Sequence, residues 1–256
     1  MKLLIEKGAD VNEQEWYHPL YWAMIYGRSL ECVKILANNG SRIDPNNISD
    51  PERKPALFEL VDMSEYEDDK PKNLPIKMAE VLIRHGEEVD DYVGDDESTV
   101  LTYALYQDNI KFAKYLIGQG ANVDGVYDYK RDCYKTPLFF AVANKAGDTS
   151  IMNLLLQLGA DADIKTEEYW SPLHNLALHG SKKGHIAMAK RLIHEYNMRI
   201  EYGFLEETPL HCAALGGNNE FARFLIQQGA DVNARTLCWS ALNITHTHTH
   251  TYISRT

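Results

Sequence analysis

The stretch that decides the fold is "TPLHCAALGGNNEFARFLIQQGADVNA", at residues 208–234. It opens with Thr208 and Pro209. This pair is typical of a helix start, because the hydroxyl caps free N–H groups and proline fits the first helical position. Two runs of apolar residues at helical spacing follow, and each predicts a helix with one buried side. The second run stops at Gly229, where glycine commonly ends a helix in the left-handed conformation.

The closing phrase of this stretch recurs along the chain. "LIQQGADVN" at 225–233 matches "LIEKGADVN" at 4–12, and related phrases follow at intervals of roughly 30–45 residues, as in a repeat protein. The phrase glycines are Gly8, Gly40, Gly86, Gly120, Gly159 and Gly229. The last interval is long enough for two repeats, and "HEYNMRIE" at 194–201 fits between them if Asn197 replaces the glycine. Asparagine tolerates the left-handed conformation best after glycine, so we predict a positive φ at Asn197.

The opening half of the unit also recurs, as "TPLFFAV" at 136–142 and "SPLHNLA" at 171–177. Weaker versions are "HPLYWAM" at 18–24, "PALFELV" at 55–61 and "TVLTYAL" at 99–105. The unit resembles the ankyrin repeat, whose period is about 33 residues and whose hallmark is T-P-L-H-x-A. The resemblance covers residues 1 to about 244. It implies an all-α ankyrin-repeat solenoid of stacked helix-turn-helix units with hairpin-like finger loops. It also implies a structural hydrogen-bonding role near the turn for His174 and His211.

The repeat spacing predicts the organisation of the chain. The predicted segments are a partial N-terminal repeat at 1–12 (the end of a second helix), repeats at 13–44, 45–90, 91–124 and 125–163, a divergent repeat at 164–201, a repeat at 202–233, the start of a truncated repeat at 234–245, and a Thr/His low-complexity tail at 246–256. In the partial repeat, Leu3, Leu4 and Ile5 have no first helix to pack on and are predicted to be poorly covered.

Two stretches depart from the regular length of a repeat. "DMSEYEDDKPKNLP" at 62–75 is acidic, carries two prolines and is predicted to be an inserted surface loop. It is either a docking loop for a basic partner or a tolerated insertion, and the second is favoured because flexible loops absorb insertions at low cost. "HGSKKGH" at 179–185 predicts a wider turn between the two helices of its repeat.

Composition narrows the class of protein. The 256 residues are 45% hydrophobic and 25% charged, as in globular domains, and no apolar run is long enough to span a membrane. The N-terminus turns polar after three apolar residues, too soon for a signal peptide. The four cysteines, Cys32, Cys133, Cys212 and Cys238, are interpreted as reduced thiols in an intracellular protein, cytoplasmic or nuclear. The net charge of −11 argues against nucleic acid and favours a basic protein partner for a monomeric chain.

The sequence predicts no enzyme, no cofactor and no metal site. It contains neither G-x-G-x-x-G nor a P-loop lysine, and in "HEYNM" Met198 stands where a zinc protease needs its second histidine. No set of residues supplies a nucleophile, a base and an orienting group together. His246, His248 and His250 could bind a metal, but their tract shows no fixed geometry or supporting partner, so a metal role is not favoured.

Recognition by ankyrin proteins, as the resemblance implies, uses the fingertips and the exposed side of the first helices. The predicted partner-binding residues are Trp16, Tyr17, Tyr26, Tyr92, Asp95, Asp96, Glu97, Tyr106, Tyr129, Tyr169, Trp170, Glu206 and Glu207. Aromatic side chains anchor interface hot spots, and the acids suit lysine or arginine on a partner. The competing interpretation is that the aromatics pack on neighbouring fingertips and the acids only promote solubility.

Two functions follow from these observations. The favoured one is a non-enzymatic scaffold or adaptor that binds a protein partner, such as a basic or extended segment, on an acidic, aromatic concave fingertip surface. The alternative is a fragment of a larger ankyrin-containing protein, such as an enzyme, channel or signalling protein, whose active part is absent from this chain.

Overall fold

The computed structural model of the chain describes residues 2–12, 18–42, 55–63, 73–90, 92–93, 98–128, 133–142, 149–162, 171–180, 183–201 and 207–235. Its internal contacts divide the chain into two compact units, Met1–Asn122 and Val123–Thr256, which are named the N-terminal unit and the C-terminal unit. Within the described ranges, no helix combines the length and the apolar character needed to cross a membrane.

Apart from its first helix, the N-terminal unit is built from pairs of helices that pack on each other. Its elements are α1 (Lys2–Glu6), α2 (Pro19–Ile25), α3 (Leu30–Asn38), α4 (Ala56–Asp62), α5 (Leu74–Arg84), β1 (Tyr92–Val93), β2 (Ser98–Thr99), α6 (Val100–Tyr106) and α7 (Ile110–Gly118). The first helices α2, α4 and α6 pack in series, each against the next, and α2, α4 and α6 also pack on their own second helices α3, α5 and α7.

The C-terminal unit repeats this arrangement. Its elements are β3 (Val126–Asp128), β4 (Cys133–Lys135), α8 (Pro137–Ala141), α9 (Ser150–Gln157), α10 (Pro172–His179), α11 (Lys183–His194), α12 (Pro209–Leu215) and α13 (Asn219–Gln227). The first helices α8, α10 and α12 pack in series, and each also packs on its own second helix. Two short antiparallel hairpins, β1–β2 and β3–β4, precede α6 and α8. The predicted all-α solenoid of helix pairs with hairpin-like finger loops is confirmed.

Each repeat ends its second helix on a left-handed residue. All six phrase glycines have φ between 80° and 100°, and Asn197 has φ 52°, so the predicted replacement of glycine by asparagine is confirmed. After Gly120, for example, the Ala121 N–H donates to the Leu116 carbonyl at 3.1 Å, which satisfies a carbonyl left open by the helix end.

Each second helix places a leucine at an equivalent position in the centre of the core. Leu116 and its equivalents are buried in every described repeat from the second onward: Leu36, Leu82, Leu155, Leu192 and Leu225. In α1 the equivalent side chain, Leu4, is 64% exposed, and so is Leu3. The described residues contain no first helix that covers α1, so these side chains have little to pack on. The predicted poor cover is confirmed.

The structure corrects two predicted boundaries. The predicted loop at 62–75 is too long, because α4 includes Asp62 and α5 already begins at Leu74. Pro75 lies in the first turn of α5, where a proline costs no helical hydrogen bond, and its presence therefore did not mark a loop. The predicted wide turn at "HGSKKGH" is also wrong, because α11 begins at Lys183 and lengthens to 12 residues instead.

Two buried polar atoms have no hydrogen-bond partner among the described residues: Asn73 Oδ1 and the Tyr115 hydroxyl on α7. Burial raises the pKa of Tyr115, the nearby Glu80 carboxylate raises it further, and Arg84 lowers it. Arg84 and Glu80 form an exposed ion pair with each other on α5. A buried hydroxyl without a partner loses its contact with water and gains nothing in return.

We predict that Asn197→Gly leaves the free energy of unfolding unchanged or raises it by up to about 1 kcal/mol, because glycine adopts positive φ without steric cost. Asn197→Ala is the matched control and should lose about 1 kcal/mol or more, since Cβ clashes in the left-handed region. Urea denaturation measures both. If the two variants were equally stable, the left-handed conformation would not explain why asparagine occupies this position.

Tyr115→Phe should keep or raise the free energy of unfolding, by up to about 1 kcal/mol, because it removes a buried hydroxyl without a partner. Tyr103→Phe is the control. Its hydroxyl donates to Asp62 Oδ1 at 2.7 Å, so its removal should cost about 1 kcal/mol. Thermal denaturation compares the two, and a loss at Tyr115 as large as that at Tyr103 would contradict the prediction.

Candidate partner-binding surface

The predicted surface contains fingertip residues and first-helix residues. Of the fingertip residues, the backbone places Tyr92 in β1, opposite Thr99 of β2. The Tyr92 side chain lies outside the described part of the chain, and so do Trp16, Tyr17, Asp95, Asp96, Glu97, Tyr129, Tyr169, Trp170 and Glu206. Their part in binding stays a prediction.

The described aromatic residues of the prediction are exposed on first helices. Tyr26 follows the end of α2 and is 60% exposed, and Tyr106 is the last residue of α6 and is 59% exposed. Trp22, one helical turn before Tyr26, is 45% exposed, and its ring centroid lies 4.3 Å from that of Tyr26. Sequence reasoning missed Trp22, although a spacing of four residues places two side chains on the same helix face.

An acidic side chain lies on the helix between these aromatics. Asp62 is the last residue of α4, and α4 packs against both α2 and α6. The Tyr103 hydroxyl of α6 donates to Asp62 Oδ1 at 2.7 Å. The Gln107 amide donates to the Tyr103 oxygen at 2.9 Å and lies 3.5 Å from the same carboxylate oxygen. Both donors are neutral, and the bond from Tyr103 holds the carboxylate in place.

These side chains lie on three consecutive first helices that pack in series, and together they are named the α2–α4–α6 face. Its members are Trp22, Tyr26, Asp62, Tyr103, Tyr106 and Gln107. Asp62 and Tyr106 stand at the same distance from their helix N-caps, Pro55 and Thr99, so the packing in series brings equivalent positions side by side. The whole face belongs to the N-terminal unit.

The first helices of the C-terminal unit have a different character. The segments Pro137–Ala141, Pro172–His179 and Pro209–Leu215 contain no tyrosine, tryptophan or acidic residue. Asn175, which corresponds in position to Trp22, is buried and donates to the Phe139 carbonyl at 2.7 Å. Partial burial of the His179 ring lowers the pKa of that imidazole and favours its neutral form. Among the described first helices, tyrosine, tryptophan and acidic side chains therefore occur on those of the N-terminal unit.

The T-P-L-H histidine connects neighbouring repeats at the base of the fingertips. The Ser171 N–H donates to His174 Nδ1 at 3.0 Å, so Nδ1 carries no proton. Nε2 therefore carries the proton and donates to the Glu207 carbonyl of the next repeat at 3.1 Å. The structural role implied for His174 fits these bonds, and His211 makes the same local bond to the Thr208 N–H at 3.2 Å. Glu207, a predicted binding residue, is half-buried, and its backbone carbonyl takes part in this bond.

A second series of bonds joins consecutive repeats, and sequence reasoning missed it. In four pairs of consecutive phrases, the last residue of the first phrase accepts a bond from a backbone N–H of the second. The bonds run from Arg42 to Asn12 (3.0 Å), from Asn122 to Asp90 (2.7 Å), from Asp161 to Asp124 (2.7 Å) and from Asp231 to Glu201 (2.7 Å). The sequence feature that could have predicted these bonds is the recurrence of Asn, Asp or Glu at the last position of the phrase, since these side chains carry a carboxylate or amide oxygen that accepts hydrogen bonds.

Comparison with known families matches this architecture. A family model described as "Ankyrin repeats (3 copies)" matches residues 72–166 and 138–236, which together make up more than half of the chain. Among solved structures, the ankyrin repeat domain of human ASB11 is similar, with a TM-score of 0.64 at 21% identity, and the match covers 89% of this chain and 91% of that one. At this identity the likeness concerns the fold alone.

Curated relatives share shorter stretches. Delta-latroinsectotoxin-Lt1a of Latrodectus tredecimguttatus is 34% identical over 110 residues, 43% of this chain and 9% of the toxin. Human ankyrin repeat and SOCS box protein 16 is 34% identical over 125 residues, 48% of this chain and 25% of that protein. A putative ankyrin repeat protein of fowlpox virus, FPV014, is 30% identical over 140 residues, 54% of this chain and 30% of its own length. The chain thus spans less than a third of each of these relatives.

We predict that His174→Leu lowers the free energy of unfolding by about 2 kcal/mol or more, because it strands a buried N–H and a carbonyl at once. His211→Leu is the matched comparison, with a smaller expected loss because His211 is only half-buried. Urea denaturation measures both. Losses of equal size would show that the bond to Glu207 contributes nothing beyond the local cap.

Proposed function

The chain belongs to the ankyrin-repeat family, and we propose that it is a scaffold or adaptor that holds a basic or extended protein segment on its acidic and aromatic side chains. Ankyrin repeats mediate protein–protein interaction and are generally non-enzymatic, so the chain is a protein-interaction module. The proposed binding residues are the predicted fingertip residues together with the α2–α4–α6 face.

The observation that carries the proposal is the exposure of three large aromatic side chains on this face, Trp22, Tyr26 and Tyr106. Such side chains gain most from burial, since each offers a large apolar area and loses few rotamers on binding. Clusters of this kind are enriched at the centres of protein interfaces. The packed first helices hold these side chains on a preformed surface, which lowers the cost of ordering it on binding.

The charge of the chain favours a basic partner. The net charge is −11, and Asp62 contributes a carboxylate at the centre of the described face. Long-range attraction of this kind speeds the encounter with a positively charged segment and selects against acidic ones. The proposal places the module, as a monomer, in the cytoplasm or nucleus, where free thiols such as Cys32 and Cys212 stay reduced.

A second role is favoured by the lengths of the relatives. Each curated relative is much longer than the stretch it shares with this chain, so similar repeats serve there as one part of a larger protein. In this role the repeats would provide the binding section of a protein whose activity lies in another part.

The test is affinity capture from cell lysate with the full chain as bait, followed by mass spectrometry. The triple variant Trp22→Ala, Tyr26→Ala, Tyr106→Ala should lose the partner. Leu158→Ala is the control, because it removes an exposed apolar side chain that follows the second helix α9. Circular dichroism first checks that each bait is folded.

Salt gives an independent readout of the same complex. Raising the ionic strength from about 0.1 M to about 1 M shortens the screening length from about 10 Å to about 3 Å, so binding to a basic segment should weaken strongly. A partner that stays bound to the triple variant and at high salt would contradict the proposal.

A further inference from the structure

We infer that copies of this chain associate head to tail, with α1 of one copy packing against the end of the C-terminal unit of another, as a further repeat would. The two surfaces are named the head (Leu3, Leu4, Gly8 and Asp10) and the tail (Ile226, Val232 and Asn233). The inference goes beyond the proposed function, because none of these residues belongs to the α2–α4–α6 face or to the predicted fingertips. The head lies in the N-terminal unit and the tail in the C-terminal unit.

The first observation concerns the uncovered helix at the head. α1 is followed by Gly8 with φ 86°, as the second helix of a repeat is, but the described residues contain no first helix that covers it. Leu3 and Leu4 are each 64% exposed, whereas Leu36, at the position of Leu4 in α3, is 2% exposed. The head therefore leaves apolar area in water that a neighbouring helix would remove.

The second observation concerns the tail, where the described residues contain no helix after α13. Ile226, three residues before its phrase glycine, is 47% exposed, and Val232 in the phrase itself is 62% exposed. The residues equivalent to Ile226 in α3 and α9 are Ala37 and Leu156, which are 3% and 6% exposed. Both helices are followed by another repeat, and α3 packs against the second helix α5 of that repeat. The exposed residues of the tail are thus those that a following repeat would cover.

The third observation is that the first and last phrases end in an asparagine with the same local geometry. Within the chain, the Asn12 amide bonds the following phrase twice, since Nδ2 donates to the Gly40 carbonyl at 3.1 Å and Oδ1 accepts from the Arg42 N–H at 3.0 Å. The Asn233 N–H donates to Asp231 Oδ1 at 2.8 Å, and the Asn12 N–H bonds the aspartate of its own phrase at the same distance. Asn233 is therefore oriented for the two bonds that Asn12 makes.

The groups that would complete these two bonds are present at the head. Asn233 is exposed, and within the described residues no group bonds its side-chain amide. The Gly8 carbonyl and the Asp10 N–H occupy the phrase positions of the Gly40 carbonyl and the Arg42 N–H, and they too have no partner within the described residues. Asn233 of one copy can therefore bond Gly8 and Asp10 of another as consecutive phrases bond each other within the chain.

The sequence after α13 fits the same contact. A repeat is predicted to begin at 234–245, with Ser240, Ala241 and Leu242 in the places of Thr, Pro and Leu, and its residues after Arg235 lie outside the described part of the chain. This predicted first half of a repeat has no second-helix pattern after it in the sequence. α1 is a second helix without a first, so the two halves together would make one helix pair between copies.

The contact joins two different surfaces and can therefore extend beyond two copies. One short helix and one phrase on the head make a small interface, and small interfaces are weak and transient. The chain is accordingly a monomer when dilute, as in the proposed function, and it associates where many copies are held close together.

The experiment is sedimentation velocity of the full chain between about 10 µM and about 1 mM, a range that covers weak association. We expect the mean sedimentation coefficient to rise with concentration and to return on dilution. The head variant is Leu4→Glu, and the tail variant combines Ile226→Glu with Asn233→Ala. Each should weaken the association by about tenfold or more, because it places a charge in an apolar contact. All three side chains are exposed in the single chain, and circular dichroism checks that both variants are folded.

A mixture of the two variants gives the decisive readout. The head variant keeps an intact tail and the tail variant keeps an intact head, so an equal mixture should form pairs and nothing larger. Gln227→Ala is the matched control on α13 and should associate as the unchanged chain does. Its position stays exposed at Arg84 and Gln157, in helices that are followed by another repeat, and it therefore lies outside the contact.

Three results would overturn the inference. They are a sedimentation coefficient that does not change with concentration, association that persists in the tail variant, and a mixture of variants that does not pair. Association that is lost only in Leu4→Glu would indicate a contact between two heads and would equally exclude the head-to-tail arrangement. None of these results bears on the capture experiment, which tests the α2–α4–α6 face with a different protein.

Discussion

The burial of one leucine per repeat is the constraint on which the rest of the structure depends. Leu116 is inaccessible to solvent, because α6 packs on α7 and the neighbouring helix α4 packs on α6 and extends the same core. Leu4, which occupies the equivalent position in α1, is mostly exposed where the described residues provide no first helix to cover it. A single helix pair cannot bury its own apolar face, so stability comes from nearest neighbours. The packing of each first helix on its own second helix and on the next first helix maintains that contact.

This constraint separates stability from recognition. The core uses the inward positions of the first helices, such as Leu101 and Ala104, which are fully buried. Exposed positions on the same helices, such as Tyr106, are therefore able to vary without disturbing the core. The same scaffold thus carries an aromatic and acidic face in the N-terminal unit and an apolar, histidine-containing one in the C-terminal unit.

Much of the fold could be predicted from the sequence, because its signals are local. Thr–Pro at a helix start and glycine at a helix stop act within a few residues, and they identified even the disguised stop at Asn197. The ends of the inserted loop were harder to predict, because a proline such as Pro75 occurs both in loops and in the first turn of a helix. The start of α11 was missed because Gly184, which suggested a turn, lies within the first turn of the helix.

The candidate surface was less accessible to sequence reasoning. Tyr26 and Tyr106 were identified by type and position, but Trp22 was taken only as part of an apolar helix pattern. The importance of Asp62 depends on the packing of α4 between α2 and α6, two helices that carry aromatic side chains. No local sequence pattern indicates this packing. The bonds between consecutive phrases join residues 30 to 37 positions apart, so they emerge only once the repeats are stacked.

Those bonds between consecutive phrases determine how such a chain can change in length. Asp90 meets the Asn122 N–H and Asp124 meets the Asp161 N–H at the same 2.7 Å, although the second pair spans five more residues of chain. Added residues are thus accommodated in the connections, while the geometry from phrase to phrase stays constant. Deleting part of a helix pair would break the bonds that its repeat makes to the phrase before it and to the phrase after it. Duplication or loss of whole repeats, together with variation of the loops, is therefore the route of change that keeps this architecture intact.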